Sequence, residues 1–297
     1  MPVSIDFNKK LEFTYGKSDQ LSPLVRRVIA NNPGPFTFTG TGTYLVGSGE
    51  IAVIDPGPAD QQHINAILDA AAGETITHIL VTHRHIDHSP GCALLKARCG
   101  AETWAFKPPT QTGENSFGLD AGFVPDHTVS DGTIISSVQW QLECLHTPGH
   151  SSDHVSFYLA SENALFCGDV VMGWSTTIVS PPDGNMSEYM ASLERLRKRA
   201  DEIYYPTHGA PIKNPQRYVD KLYLHRRERE NQVISCVSEG ANTLDAMVSF
   251  VYADLDPSMY GAAARSLLAT VEYLVDSGKL EIRGEEHGGR RYYIVTT

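Results

Sequence analysis

Four of six consecutive residues carry groups that bind metal ions: the chain reads His83-Arg84-His85-Ile86-Asp87-His88. Imidazole nitrogens and a carboxylate oxygen are ligands of zinc and similar divalent cations. Successive side chains of an extended segment alternate in direction, so we expect His83 and His85 on one side, with Asp87 and His88 turned toward a second position. A histidine-rich solvated loop is the alternative interpretation. The spacing predicts a site for divalent metal ions, with two ions expected.

The residues on either side of this cluster predict the elements that must position it. The apolar run Ile79-Leu80-Val81 precedes it and is typical of a buried strand. Ser89 suits an N-cap, Pro90 suits the first helical position, and residues 92–98 can continue as a helix. We therefore expect the cluster at the carboxyl end of a buried strand, in a loop that leads into a helix.

Composition limits the partners and the compartment. The 297 residues include 24 basic and 35 acidic side chains, which gives a formal charge of -11. The overall charge therefore does not attract nucleic acid or anionic membranes. Five scattered cysteines without a C-x-x-C pair indicate reduced thiols. The N-terminal residues lack a secretory apolar region, and no apolar stretch reaches membrane-spanning length. We predict a cytoplasmic protein that does not bind membranes.

The pattern along the chain predicts two domains. From about residue 35 to 167, short β-branched and aromatic runs alternate with turn residues and some helical stretches, which is typical of an α/β fold. After residue 209, three helical segments precede two short strands, with Gly284, Gly288 and Gly289 expected in the turn between them. That order is typical of a winged helix. We predict a catalytic domain at residues 1–236 and a winged-helix domain at 237–297.

A site for two metal ions needs more ligands than the cluster supplies. Three later turns each offer one: His150 in the turn Thr147-Pro148-Gly149-His150, Asp169 after the strand-like run 164–166, and His208 where another strand should end. All three turns are predicted at strand ends, where loops carry functional groups.

These motifs, in this order, resemble the metallo-β-lactamase superfamily, and the resemblance covers most of the chain. It implies an αββα sandwich that holds two divalent metal ions, zinc first, with iron or manganese as alternatives. It also implies that Asp169 bridges the two ions and that Asp55 braces the metal loop from behind the ligands. The implied ligands are His83, His85 and His150 for the first ion and Asp87, His88 and His208 for the second.

More narrowly, the chain resembles the β-lactamase-like-protein-2 branch, whose members join this fold to a C-terminal winged helix. The segments that carry this resemblance are residues 32–37 and 40–47, Thr176-Thr177, His225-Arg226 and Arg229-Glu230. Gly42 departs from the branch, which usually has asparagine there. The branch resemblance implies cleavage of single-stranded RNA as one activity to consider.

The site chemistry predicts a hydrolase. Two cations can share a water and convert it to a metal-bound hydroxide at neutral pH, and Asp87 is placed to accept or relay a proton. We predict cleavage of an ester-type bond in a small-molecule ester, thioester or lactone. The alternative is an endoribonuclease acting on short single-stranded RNA. A glyoxalase-II-like thioesterase shares the metal motifs but would normally have a different C-terminal region.

A non-enzymatic winged-helix protein that binds DNA ranks lowest. The segment from residue 241 has eight acidic and five basic side chains, and its candidate recognition helix has Arg265 as its single arginine. We therefore expect no binding of duplex DNA and little effect of Arg265→Ala on catalysis. The stretch 213–230 has six basic and three acidic residues, which makes His225 and Arg226 the candidates for holding an anionic substrate.

Overall fold

A computed structural model describes residues 3–107, 118–252, 260–286 and 289–295. The strands in these ranges are β1 Ser18–Gln20, β2 Val25–Ile29, β3 Gly42–Ser48, β4 Glu50–Ile54, β5 Thr75–Val81, β6 Glu102–Phe106, β7 His127–Val129, β8 Ile134–Ser136, β9 Gln141–His146, β10 Val155–Leu159, β11 Ala164–Gly168, β12 Ile203–Pro206, β13 Ile212–Lys213, β14 Leu280–Glu286 and β15 Gly289–Ile294. The α-helices are α1 Gln61–Ala70, α2 Gly91–Cys99, α3 Met186–Arg197, α4 Pro215–Ser238, α5 Leu244–Val251 and α6 Tyr260–Asp276.

Two mixed sheets form the centre of the catalytic domain. One has the strand order β1-β2-β3-β4-β5-β6-β7, and the other has the order β13-β12-β11-β10-β9-β8. The pairs β4–β5, β5–β6, β6–β7 and β11–β12 are parallel, and the remaining pairs in these two sheets are antiparallel.

Alternation along the strands divides the apolar side chains between the faces of each sheet. Ile54 and Leu80 point into the core between the two sheets, where they meet side chains such as Phe157. Their chain neighbours Val53 and Ile79 point to the opposite face, which α1 and α2 cover. Helices α3 and α4 cover the outer face of the second sheet. The result is the αββα sandwich that the sequence predicts.

The topology brings four strand ends to one edge of the sandwich. Asp55 follows β4, and His83 is the second residue after the parallel neighbour β5. Asp169 follows β11, and His208 is the second residue after the parallel neighbour β12. Because carboxyl ends of parallel strands share an edge, the two sheets present these side chains to one another across the core.

Helix α2 begins later than the sequence predicts. Ser89 does not cap it, since the Ser89 hydroxyl donates instead to Asp120 Oδ2 at 2.7 Å, and Pro90 occupies the cap position. The first turn is held by backbone, because Gly91 N donates to Gly57 O at 2.8 Å. A Cβ on Gly91 would lie 2.5 Å from Pro56 O, so the close approach requires glycine.

The C-terminal module contains α5, α6 and the β14–β15 ribbon, in the order predicted for a winged helix. Gly284 lies within β14, where the register against β15 shifts between Ile282 and Glu285; Gly289 begins β15, and Gly288 is outside the described residues. Helix α4 runs on into the module, whose hydrophobic cluster includes Val233 and Cys236. The domain boundary at residue 236 stays a prediction.

No helix in the described ranges is both long enough and apolar enough to cross a bilayer. The five cysteines are all free thiols, and four of them are buried.

Candidate metal centre and its cavity

All seven predicted ligands meet at the shared edge of the sandwich. Their ligand atoms form three overlapping groups, each with atoms within 4.8 Å of one another. The groups are His83, His85 and His150; His83, His88 and Asp169; and Asp87, His88 and His208.

The first group brings three imidazole nitrogens together. His85 Nδ1 lies 2.9 Å from His83 Nε2 and 3.1 Å from His150 Nε2. His83 and His85 come from the loop after β5, and His150 comes from the loop between β9 and β10. This arrangement is the three-histidine set expected for the first ion.

The second group joins the end of the cluster to the loop after β12. Asp87 Oδ2 lies 3.2 Å from His208 Nε2 and 3.6 Å from His88 Nε2. Asp169 Oδ2 lies between the two groups, 3.7 Å from both His88 Nε2 and His150 Nε2 and 3.5 Å from His208 Nε2. The structure therefore places Asp169 where a bridging carboxylate would lie.

Hydrogen bonds orient four of the histidines in the same sense. Each uses Nδ1 to contact a protein oxygen and directs Nε2 toward the cluster, which is the usual arrangement of a metal-binding imidazole. These contacts are His88 Nδ1 to Asp55 Oδ2 at 2.9 Å, His150 Nδ1 to Ile178 O at 2.6 Å, His208 Nδ1 to Gly40 O at 3.3 Å and His83 Nδ1 to Thr82 Oγ1 at 3.0 Å.

Asp55 ties two ligand-bearing strand ends together, those of β5 and β12. Its carboxylate is fully buried and, besides the His88 ring, accepts hydrogen bonds from Thr82 N, Thr82 Oγ1 and Thr207 Oγ1 at 2.7 to 3.0 Å. Asp55 has a φ of 50°, a left-handed conformation that aspartate tolerates better than most residues. Thr82 and Thr207 each precede a ligand histidine, so one carboxylate fixes both sides of the centre.

The turn that carries Asp169 is held by its backbone. Asp169 N donates to His154 Nε2 at 3.0 Å, and Asp169 O accepts from Thr177 Oγ1 at 2.7 Å. Because His154 Nε2 is an acceptor, its Nδ1 carries the proton and faces Thr147 Oγ1 at 2.9 Å. Burial keeps the pKa of His154 well below its ordinary value, which maintains this neutral form.

The electrostatics of the cluster favour added positive charge. Burial, reinforced by neighbouring histidines, lowers the pKa of His83 well below its ordinary value and that of His85 to about 3. Burial also opposes charge on His208, but Asp169 and Asp87 outweigh it and raise its pKa to about 10. Burial opposes charge on His88 as well, but the carboxylates of Asp87, Asp55 and Asp169 outweigh it and raise the pKa of His88 well above its ordinary value.

The donor set fits divalent cations. His88 Nε2, His208 Nε2 and Asp169 Oδ1 are buried atoms without a hydrogen-bond partner among the described residues. Burying such atoms unsatisfied is costly, and a cation in place of the protons would satisfy them. Nitrogen and carboxylate ligands suit zinc, iron and manganese alike.

A buried ion pair connects the two loops of the first group. Arg84 Nε lies 3.2 Å from Asp153 Oδ2, and both side chains are less than a tenth exposed. Arg84 sits between two ligands, and Asp153 follows His150 by three residues. The pair therefore helps to fix the distance between these two loops.

The two predicted substrate residues do not line the cavity at this centre. Arg226 is only 6% exposed, its Nη2 donates to Thr177 O, and its guanidinium lies 5.1 Å from the Tyr189 ring centroid. Burial and the neighbouring arginines lower the pKa of His225 to about 4. A substrate role for His225 and Arg226 stays a prediction, and the side of α4 that carries Arg226 packs against Tyr189 of α3 and Thr177.

A cavity of about 300 Å³ opens onto the centre, with His85, Asp87, His150 and Asp169 in its wall. Most of the remaining wall is apolar. Its apolar side chains are Phe36, Ile86, Leu119, Met172, Ile178, Pro181 and Pro182. Arg265 of α6 also lines it, so the module contributes to the cavity through the residue for which we expected little effect.

Sequence reasoning missed several residues that support the centre. It gave no role to Thr82, Thr207 or Arg84. The repeated Thr-His pairs Thr82-His83 and Thr207-His208 were a usable signal, since a hydroxyl beside a ligand can reach a common acceptor. The contribution of Arg265 had no sequence signal, because it depends on how α6 docks.

His63 provides a test of the support behind the centre. It is buried, its Nε2 lies 2.7 Å from Thr43 Oγ1, and burial lowers its pKa to about 4. Between about pH 6.5 and 4 the unfolded chain takes up a proton that the folded chain does not, so this group lowers the free energy of unfolding as pH falls. His63→Gln should remove that dependence, worth about 1 kcal/mol between pH 7.5 and 5.5.

Urea unfolding at both pH values measures this effect. The difference between wild type and His63→Gln should shrink at the lower pH, whereas Ile64→Val, a non-titrating change at a neighbouring buried position, should cost the same at both. An equal loss for His63→Gln at the two pH values would contradict the prediction.

Two family profiles match the chain. The metallo-beta-lactamase superfamily matches residues 37–208, and the beta-lactamase associated winged helix domain matches residues 243–286. The first match contains all seven candidate ligands, and the second matches much of the C-terminal module.

Curated relatives cover most of the chain. A beta-lactamase-like protein 2 homolog of Caenorhabditis elegans is 31% identical over 268 residues, 89% of this chain and 88% of the relative. An atrochrysone carboxyl ACP thioesterase of Passalora fulva is 31% identical over 294 residues, 93% of this chain and 83% of the relative. Both similarities extend through the metal centre and into the C-terminal module.

Solved structures have the same fold. A beta-lactamase domain protein from Burkholderia ambifaria superposes with a TM-score of 0.82 at 19% identity, covering 98% of this chain and 97% of that one. A metallo-beta-lactamase family protein from Thermus thermophilus gives a TM-score of 0.76 at 21% identity, covering 93% and 100%. At these identities the likeness concerns the fold alone.

Proposed function

Because the chain belongs to the metallo-β-lactamase superfamily of hydrolases, we propose that it cleaves thioesters, with small-molecule esters and lactones as related substrates. The observation that carries this proposal is the apolar cavity that opens directly onto the metal centre. A cavity of this kind holds the acyl part of a substrate while the centre acts on the carbonyl at its end.

The residues that line the cavity also favour a thioester substrate over RNA. Binding of a polynucleotide depends on several lysine or arginine contacts to phosphates. Among the described wall residues, Arg265 is the single lysine or arginine. The basic face predicted on α4 does not supply more, since Arg226 is buried against Thr177. RNA cleavage therefore ranks second, and binding of duplex DNA by the module ranks last.

Relatives add independent support. Several of the similar proteins are named as atrochrysone carboxyl ACP thioesterases, which are enzymes that act on a thioester.

We propose two divalent cations at the centre, zinc first, with iron or manganese as alternatives. A cytoplasmic location is also proposed, on the composition of the chain and its five free cysteines.

Two divalent cations would be held by the seven candidate ligands, and when bound they would supply Lewis acidity for the scissile carbonyl and a lowered pKa for the attacking water. The cavity aligns the acyl group so that its carbonyl reaches the centre. Asp87 Oδ2 lies at the cavity wall, and the neighbouring His88 and His208 outweigh burial and hold the pKa of Asp87 below its ordinary value. Asp87 is therefore ionised at neutral pH, and its carboxylate can receive the proton of the water.

The support around the ligands explains why the centre is preorganised. Asp55 fixes His88 and both threonines, and Ile178 O fixes the ring of His150. Ile178 also lines the cavity, so the same short segment orients a ligand and contacts the substrate.

A hydrolysis panel tests the proposal. Protein reconstituted with zinc, iron or manganese should hydrolyse acyl thioesters with a kcat/KM at least about tenfold above matched oxyesters, lactones, phosphodiesters and a short single-stranded RNA. His208→Ala should abolish every activity that belongs to the centre. Efficient RNA cleavage with no thioester hydrolysis would replace the proposal by the second candidate.

A further inference from the structure

We infer that Arg265 forms a subsite for a carboxylate at the far end of an otherwise apolar acyl group. The C-terminal module would thereby select the acyl group on which the catalytic domain acts. The inference rests on the thioesterase function proposed above, and it adds the class of acyl substrate and the residue that recognises it.

The first support is the way α6 docks. Ala269 of α6 is buried in the same hydrophobic cluster as Val171 and Tyr189 of the catalytic domain. Arg265 lies four residues before Ala269, so both are on the same face of the helix. Arg265 is therefore directed toward the catalytic domain by a packed helix, and it reaches the cavity wall.

The second support is the charge distribution in the wall. Apart from the candidate ligands, the ionisable residues that line the cavity in the described chain are Asp183 and Arg265. The Asp183 carboxylate accepts a hydrogen bond from Ser152 Oγ at 2.6 Å, which ties it to the protein. Apart from the candidate ligands, Arg265 is thus the single cationic side chain among the described wall residues, and apolar side chains such as Met172 and Pro182 line the same cavity.

The third support is the chemistry of a guanidinium in apolar surroundings. Arginine stays protonated under all ordinary conditions, and its planar fork binds a carboxylate through two parallel hydrogen bonds. A neutral acyl chain of the same length would offer the fork no acceptor, so discrimination between the two substrates should be large. The apolar side chains that line the same cavity match the methylene chain between the two ends of such a substrate.

A phosphate on the thiol carrier could also reach an arginine, and the two sources share the chemistry of an anionic oxygen group. The structure favours the acyl carboxylate, because a phosphate usually recruits several donors and the described wall provides one arginine. Coenzyme A thioesters, which carry phosphates, and N-acetylcysteamine thioesters, which do not, distinguish the sources experimentally.

The test uses N-acetylcysteamine thioesters of hexanoic acid and of a series of dicarboxylic acids from succinic to suberic acid. Wild type should prefer one of the ω-carboxyl substrates over its neutral counterpart by about 100-fold in kcat/KM. Arg265→Gln should remove that preference mainly by raising KM for the ω-carboxyl substrate, and the loss of kcat/KM for the neutral thioester should be much smaller than the loss for the ω-carboxyl one. Arg265→Lys keeps the charge without the fork and should be intermediate.

Binding provides a second readout. Calorimetry should show that the favoured dicarboxylate binds the metal-loaded wild type at least about tenfold more tightly than it binds Arg265→Gln, with the monocarboxylate as control. A normal circular dichroism spectrum and melting temperature would show that the variant is folded. If Arg265→Gln does not fold, Arg265→Lys carries the comparison.

The possible failures are distinguishable. A wild type that hydrolyses no thioester would overturn the proposed function. Hydrolysis without any ω-carboxyl preference, or with a preference that Arg265→Gln retains, would overturn the subsite and leave the thioesterase intact. A defect of Arg265→Gln on every coenzyme A thioester, whatever its acyl group, would assign Arg265 to the carrier phosphate and likewise overturn the inference.

Discussion

The variant Asp169→Ala is expected to lose both metal ions together and to reduce hydrolysis by at least about a hundredfold. Asp169 Oδ2 lies 3.5 to 3.7 Å from one nitrogen of the first group and two of the second, so its removal opens both positions at once. Loss of residues behind the ligands alone typically costs 10- to 100-fold in metal affinity or activity, and loss of a shared ligand should cost more.

Elemental analysis of the purified variant measures the metal content per chain, and the thioester assay measures activity. The backbone contacts of residue 169 to His154 and Thr177 do not use its side chain, so the turn should survive the substitution. His127→Ala, which removes a half-exposed ring paired with Glu102, should keep wild-type metal content and activity. Full metal content with unchanged hydrolysis in Asp169→Ala would contradict the bridging assignment.

Variants that lack one ligand should show a partial loss of metal in the same elemental analysis, with one ion lost more than the other. His150 belongs to the first group and His208 to the second, so each alanine variant should weaken one position more than the other. Both should lose most activity, because hydrolysis by this centre requires the two positions together. Equal loss of both ions in His150→Ala and His208→Ala would show that the positions are not separable.

Much of the centre could be predicted because its signals are local. A run such as Ile79-Leu80-Val81 fixes a buried strand, and the residues that follow it must lie at the strand end. The later turns at His150, Asp169 and His208 follow or precede similar short strands. Asp55 follows the same rule after β4, and the structure places it behind His88.

The residues that contact the substrate could not be predicted in the same way, because their positions depend on which face of α4 and of α6 packs against the rest of the protein. Arg226 lies in a strongly charged helix whose sequence suggests a solvated surface, yet α4 packs on α3 and buries it. Arg265 lies in a helix rich in alanine and leucine, where one arginine suggests no particular role. Docking of α6 on the catalytic domain brings that arginine to the cavity. The long-range packing that decides both cases leaves no periodic signal.

The structure also links two segments that the branch resemblance names separately. Arg226 Nη2 donates to Thr177 O, and Thr177 Oγ1 in turn donates to Asp169 O. The next residue, Ile178, accepts the Nδ1 proton of His150. One buried arginine on α4 therefore holds the short segment that orients two candidate ligands.

The second large effect is expected for Arg226→Gln, which should lower kcat about 10- to 100-fold and leave KM nearly unchanged. The shortened side chain no longer reaches Thr177 O, so residues 177–178 can move and misalign His150 and Asp169. Metal affinity should fall with kcat, because the same rings are displaced. A substrate contact would instead raise KM for anionic substrates at constant kcat.

Steady-state kinetics and metal titration of three variants test this role. Arg217→Gln makes the same charge change at an exposed position of α4 and should match wild type. Thr177→Val keeps the carbonyl that accepts from Arg226 but removes the hydroxyl that donates to Asp169 O, so it should lower kcat by a smaller factor. It also carries the test if Arg226→Gln does not fold. Normal metal affinity in Arg226→Gln, together with a raised KM for anionic thioesters, would contradict this role and show that Arg226 binds the substrate.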